Sequence, residues 1–414
     1  MRRELSIALF ARLPGRRDVR PWSITCALVL LHAGCSEMDA GITRADELPH
    51  IQVEEVFRIG SVDDPDVGFS SIGGVTVDGD ESAFVFDRRD VTIRVYDSDG
   101  ALRTKFGGPG EGPGEFRTPA ALGFRADTLW VVDIRLRRVS LFSRTGEFIR
   151  SMRRPSVTFN LTSELQGQLI AAGLRPDGLF DSSWMVPVAR DMPTDSFWLP
   201  HVRLDSAGTI VDTVQLQRFG FGSRRATITL NGRDFNVPAG PAHEPLWVDA
   251  QDEFYVVERP VAASGALGQF SVTRIAGMTD TVFTRQYSYR PLPFDQAATE
   301  AEIASAVATY QRMPGVDTSA LDATFRREFV APAFHPPVDQ ARVGADGVLW
   351  LRREDDGRAT RRWMLVGPDG DARGIIDLPR ETTVHWSDGP VFWTAEQDEL
   401  DVPWLVKYRQ LASR

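Results

Sequence analysis

The sequence predicts an all-β fold, a six-bladed β-propeller with a small helical insertion between blades four and five. Three observations carry this reading. Residues 72–106 and 120–152, on either side of the Gly/Pro-rich stretch 106–119, repeat one another as four short runs of alternating apolar residues separated by turns. Asp87 and Asp133 close the second run of each repeat, 46 residues apart. Four antiparallel strands recurring at about 40–50 residues is the period of a propeller blade. Finally, 51–59 is a lone strand pattern with no hairpin partner nearby, which suits the outer edge of the last blade and would close the ring.

In chain order, the first 35 residues read as an export signal. Six arginines precede the apolar run 22–33, which ends at Gly34-Cys35-Ser36 and is too short to span a membrane. Residues 36–50 are polar and read as a tether. The propeller is expected over 51–410. Blade one has runs at 74–77, 83–86, 92–96 and 102–106, and blade two at 121–124, 129–132, 139–142 and 147–152. Blade three is placed from about 163, with 169–172 as its second strand, a long excursion over 174–199, then 201–204 and 210–216. Asn231-Gly232 signals a type I′ hairpin in the linker that follows. Blade four covers 246–248, 254–257, 269–275 and 281–287. The helical insertion is expected over 294–330, with Asp295 and Asp317 as caps. Blade five covers 339–343, 348–351, 363–366 and 374–378. Blade six covers 383–386, 390–394 and 404–408, plus 51–59.

Composition narrows the function classes. Ten Trp and 24 Phe suffice for a large core. Cys26 and Cys35 are the only cysteines, so the body after an export signal has no disulfide, thiol chemistry or cysteine-based metal site. Removing the signal, with its six arginines, Glu4 and Asp18, takes the net charge from −10 to −14. That disfavours nucleic acid and anionic lipid as partners of the domain itself.

The stretch FVFDRRDVTIRVYDSDGALRTKFGGPGEGPGEFRTPAAL resembles the NHL-repeat pattern. It has a strand ending in Asp, an Asp-x-Asp-Gly turn, Phe-Gly, a Gly-rich linker, then Phe and Pro. Asp133 with Arg138 and Val139 matches the same pattern, while Thr92 stands where blade one would carry the Arg. The segment LLHAGC resembles the bacterial lipobox with Cys35 as the acylated residue, although His32 departs from the aliphatic pattern. The resemblance implies a lipid-anchored propeller of the bacterial envelope, with Ser36 compatible with outer-membrane sorting, facing the periplasm or the surface. Amidating lyases share the NHL-type propeller and bind zinc through histidines of several blades.

The linker into each first strand and the loop after each second strand lie on one face, and the expected long segments all fall there. Arg88, Asp133, Arg135, Arg175, Glu258, Arg259 and Arg352 stand at or beside second-strand ends on that face. They form a candidate ligand-binding set that can hold a carboxylate or polar group by forked hydrogen bonds. The alternative is that the acids and arginines staple strand two to neighbouring loops. His243 and His335 fall in linkers before first strands and form an alternative ligand pair for a divalent metal ion; hydrogen-bonded structural histidines are the other reading. GGPGEGPGEF lacks the Lys-Ser/Thr of a P-loop, and there is no Gly-x-Ser-x-Gly or His-Glu-x-x-His. The expected function is binding of an unidentified ligand or envelope protein, with no catalytic residue and no cofactor assigned. Membrane attachment is expected through the lipid alone. The rival is a metal-dependent lyase or hydrolase with its ion near the axis.

Overall fold

The computed structural model describes residues 42–64, 67–160, 166–185, 197–219, 225–241, 244–250, 253–262, 265–277, 280–313, 315–354 and 359–412. The signal segment with Cys35, and His243, lie outside them. The described chain is mostly strand. It begins with β1 (Thr43–Arg44) and β2 (Val53–Ile59). A first sheet follows, of β3 (Ile72–Val77), β4 (Ala83–Asp87), β5 (Thr92–Tyr96) and β6 (Leu102–Gly107). The second has β7 (Pro119–Arg125), β8 (Thr128–Asp133), β9 (Arg138–Ser143) and β10 (Phe148–Arg153). The third has β11 (Ser156–Asn160), β12 (Gln166–Leu174), β13 (Phe180–Met185), β14 (Phe197–Leu204) and β15 (Ile210–Phe219).

After a hairpin of β16 (Arg225–Leu230) and β17 (Arg233–Pro238) comes the fourth sheet. It contains β18 (Leu246–Ala250), β19 (Glu253–Glu258), β20 (Gly268–Ala276) and β21 (Asp280–Tyr289), with β1 added in parallel at its outer edge. Helices α1 (Gln296–Gln311) and α2 (Leu321–Glu328) precede the fifth sheet of β22 (Gln340–Val343), β23 (Leu349–Arg353), β24 (Thr360–Val366) and β25 (Ala372–Pro379). The last sheet is β26 (Thr383–Asp388), β27 (Val391–Gln397) and β28 (Pro403–Gln410). As the lone strand pattern suggested, β2 completes it, pairing antiparallel with β28 from Val53 opposite Gln410 to Ile59 opposite Leu405.

Strand alternation buries both faces of each sheet against its neighbours. Phe84, Phe86 and Val95 of the first sheet pack on Leu129, Val131 and Phe142 of the second. Val132 and Val139 meet Leu169, Ala171 and Val202 of the third. Tyr255, Val257 and Phe270 of the fourth meet Leu349 and Met364 of the fifth. Trp350 and Trp363 meet Phe392 and Val406 of the sixth, and Trp393 and Leu405 return to Val75 and Val85 of the first. Each such side chain contributes about 1.5–3 kcal/mol on burial. The third and fourth sheets meet through His201 against the Phe254 ring. Sheets packed in sequence, with the last on the first, give an all-β propeller layout. Neighbouring sheets touch through β3 with β7 and β26, β7 with β12, and β18 with β22; apart from β12, the second strand of its sheet, these are first strands, and they line the axis.

Three expectations change. The third sheet is displaced by one strand. Residues 169–172 lie in β12, which takes the axial position beside β7, and 175–179 is the short turn into β13. The expected excursion 174–199 is therefore a turn, a strand, and the segment 186–196, which lies outside the described residues. The residues expected as a tether are docked from 42 onward. Ala45 is fully buried, Ile51 N donates to Ile375 O, and His50 Nδ1 lies 2.7 Å from Asp377 Oδ2. Backbone groups at the edges of β21 and β25 hold this polar segment, which hydropathy alone could not show. Asp295 caps α1 by accepting from Ala298 N at 2.8 Å, but Asp317 accepts from Ser319 N and Oγ instead of capping α2, whose N-cap is Ala320.

Candidate functional site

Asp87 and Asp133 are fully buried at the ends of β4 and β8. Asp133 accepts from the backbone N–H groups of Arg117, Thr118 and Leu136 at 2.7, 3.1 and 2.8 Å. Asp87 does the same for Ser70, Ser71, Arg89 and Asp90. A carboxylate that accepts several amide protons ties the loop after the second strand to the incoming linker. Arg138 completes the device in the second sheet, donating to the carbonyls of Glu111, Gly112 and Glu115. The Gly-rich linker is thereby held over the fully buried Phe116.

Three of the other candidates share one neighbourhood on the loop face between the fourth and fifth sheets. Arg259 is 5% exposed and donates to Glu244 O at 2.6 Å and Val338 O at 2.8 Å. Burial pushes its guanidinium down, while Glu244 and Asp339 oppose the shift. Arg352 grips Asp339 in a fork, with both bonds 2.9 Å. Arg361 lies 3.7 Å from Asp339 and 3.5 Å from Glu354, and Arg380 also binds Glu354. His335 packs on Phe294 with ring centres 4.6 Å apart, and burial pushes its pKa down. Partial desolvation pushes the Glu302 carboxyl of α1 up, with Arg361 opposing.

Above this network the two longest linkers merge. Ile303, Val307, Leu321 and Phe325 of the helices pack on Ala226, Ile228 and Val237 of the β16–β17 hairpin. Its turn has Asn231 and Gly232 at φ 51° and 74°, as a type I′ turn requires. Asn231 N donates to Gly315 O and Asp317 N to Thr229 O, so hairpin and helices form one cap with its own small core.

Arg88 stands elsewhere, toward the axis. It donates to Gly73 O at 3.3 Å and keeps solvent exposure. It raises the potential at His385 of β26, whose pKa is pushed down to about 4 by burial, then by Arg342 and Arg88. Arg342 of β22 is pushed down to about 10 by burial, and its Nε is buried with no hydrogen-bond partner. Two guanidiniums beside a neutral imidazole make the axis attractive to an anion. Arg342 and His385 were not singled out from sequence; an Arg inside the short first strand QARV was the available signal. Arg135 and Glu258 are exposed beside their strand ends. Arg175 lies on the opposite face, in the 175–179 turn, where it contacts Asp177 and Asp181. The one-strand displacement of the third sheet is the reason. His335 falls in no group of three potential metal ligands among the described residues.

No protein-family model matches the chain, and no curated protein does. Among solved structures, a Bacteroides fragilis protein described as exported is 12% identical, covering 89% of this chain and 98% of that one at a TM-score of 0.48. Virginiamycin B lyase from Staphylococcus aureus is 13% identical over 87% of this chain and 100% of that one, at 0.40. The calcium-binding protein regucalcin from Agrobacterium tumefaciens is 10% identical over 88% and 96%, at 0.36.

Proposed function

We propose that the chain is an exported, lipid-anchored, six-bladed propeller of NHL-like type that binds an anionic ligand or envelope partner on its loop-rich face. The observation that carries the reading is the sidedness of the connections. Among the described residues, the turns 78–82, 97–101, 126–127, 144–147, 175–179, 205–209, 344–348, 367–371 and 389–390 on one face are all short. Among the described residues the other face receives 60–64 and 67–71, 108–118, the β16–β17 hairpin and helices α1 and α2, beside the short loops 88–91 and 134–137. In this reading Arg88 and Arg135 contact the ligand, with Arg342 behind them. Asp133, Arg259 and Arg352 hold the loops, and Glu258 discriminates against a second negative charge nearby.

Arginine keeps its charge at all relevant pH values and pairs in a fixed fork, so its loss costs recognition before it costs folding. A thermal-shift panel of di- and tricarboxylates and acidic peptides tests this. The expected result is a stabiliser that works on wild type and on the far-face variant Asp99→Ala but not on Arg88→Ala or Arg135→Ala. A stabiliser lost in Asp99→Ala and retained in both arginine variants contradicts it. For the anchor, Cys35→Ala is expected to move the protein from the membrane pellet to the soluble envelope fraction. A variant that still pellets defeats the lipid reading. No helix among the described residues is long and apolar enough to cross a membrane.

A further inference from the structure

The seam between the third and fourth sheets differs from the other five. Among the described residues no cluster of buried apolar side chains crosses it. In their place Asp181 from β13, His201 from β14 and Asp249 from β18 bring three ligand atoms within 4.8 Å of one another. They converge from two sheets, Asp181 close to the 175–179 turn and Asp249 close to the end of β18, on the face away from the long loops.

His201 is the decisive member. It is 7% exposed, and its Nε2 is buried with no hydrogen-bond partner. Asp249 Oδ2 is 3.4 Å away. The Phe254 ring packs edge-on against the imidazole, with ring centres 4.8 Å apart. A buried polar nitrogen left unpaired is costly, and a cation between it and two carboxylates removes that cost. With metal–ligand bonds of about 2.0–2.2 Å, ligand atoms around a tetrahedral ion stand roughly 3.4 Å apart. The His201–Asp249 pair already has that spacing, and with all three atoms within 4.8 Å of one another the remaining spacings need to close by no more than roughly 1.4 Å.

The surrounding charges permit an ion. Arg175 donates from Nη1 to Asp181 Oδ1 at 3.2 Å and also contacts Asp177. Its charge opposes a cation, but its bond orients Asp181 in the way outer partners orient metal ligands. Two carboxylates against one guanidinium leave a net negative pair of acids for a cation to meet. The crowding of the acids shows in Asp181, whose pKa is pushed up to about 6 by burial and by Asp249, against Arg175 and His201.

We propose that Asp181, His201 and Asp249 bind one divalent transition-metal ion of the zinc class, which clamps the third sheet to the fourth. One imidazole nitrogen with two carboxylate oxygens suits zinc better than magnesium or calcium, which favour all-oxygen shells. The site is distinct from the axis and from the anionic-ligand face, and it stands if that assignment fails. The ion's place is structural, since it joins two sheets that otherwise meet without an apolar seam.

The test uses the chain purified without a tag, stripped with EDTA and titrated with ZnCl2 alone. Calorimetry is expected to show one ion per chain, and the melting temperature is expected to rise. His201→Ala is expected to weaken binding by about 100-fold or more, since even outer partners are worth about 10–100-fold. Asp249→Asn, at a partly exposed position that keeps its shape, is expected to do the same and serves if His201→Ala fails to fold. Absence of zinc binding by wild type overturns the proposal, as does unaltered binding in Asp249→Asn. An equal melting shift from MgCl2 also overturns it.

Discussion

Arg259 and Arg135 both stand beside second-strand ends, yet their surroundings give them opposite work. Arg259 is buried and satisfies two carbonyls from different linkers, so Arg259→Ala leaves both unpaired. A loss of roughly 3 kcal/mol is expected, in line with charged hydrogen bonds of about 1.5–3 kcal/mol each. Arg135 is exposed, and Arg135→Ala is expected to stay within about 0.5 kcal/mol of wild type. Urea denaturation of the two variants checks the contrast; equal losses contradict it. His385 predicts a pH effect. Its folded pKa of about 4 lies below its ordinary 6.5, so as pH falls through that interval the unfolded chain takes up a proton that the folded chain refuses. Stability is lost over that range, by up to about 3 kcal/mol. Asp181, shifted upward, acts in the opposite sense over much of the same range. The informative quantity is therefore the difference between wild type and His385→Gln in EDTA. Melting temperatures that fall in parallel from pH 6.5 to 4 contradict the assignment.

At the scale of elements, β2 matters out of proportion to its length. It covers β28, and its residue Ile59 enters the core between the sixth and first sheets. Deleting 51–59 exposes the edge of β28, and the truncated chain is expected to aggregate or melt much lower; unchanged melting contradicts closure by β2. This strand was legible because its alternation had no local partner. The first two sheets were legible because Asp87 and Asp133 mark the same place in two similar runs. The third was misplaced because β12 is long and its turn, Arg175 to Leu179, resembles the start of a loop. Its next strand, FDSSWM, has little alternation to announce it. The Asp181–His201–Asp249 group was invisible in sequence because its members come from three strands of two sheets, each beside unremarkable neighbours. The same holds for the docking of 42–50, which depends on free edges elsewhere in the fold.

The whole molecule has two faces with different work. The short-turn face carries the sheet-to-sheet ties, including the seam between the third and fourth sheets. The loop face carries the cap, the Asp339–Arg352–Arg361–Glu354 network and the approach to Arg88, Arg342 and His385 at the axis. Repeat architectures favour this division, because each added turn on one face stays short while insertions accumulate on the other. Hydrogen–deuterium exchange tests the division most directly, comparing the chain alone with the chain saturated by the best stabiliser from the carboxylate and acidic-peptide panel. The expected result is protection of 88–91, 134–137 and 259–267, with no change at 97–101, 205–209 and 367–371. Protection confined to those far-face turns contradicts the central claim.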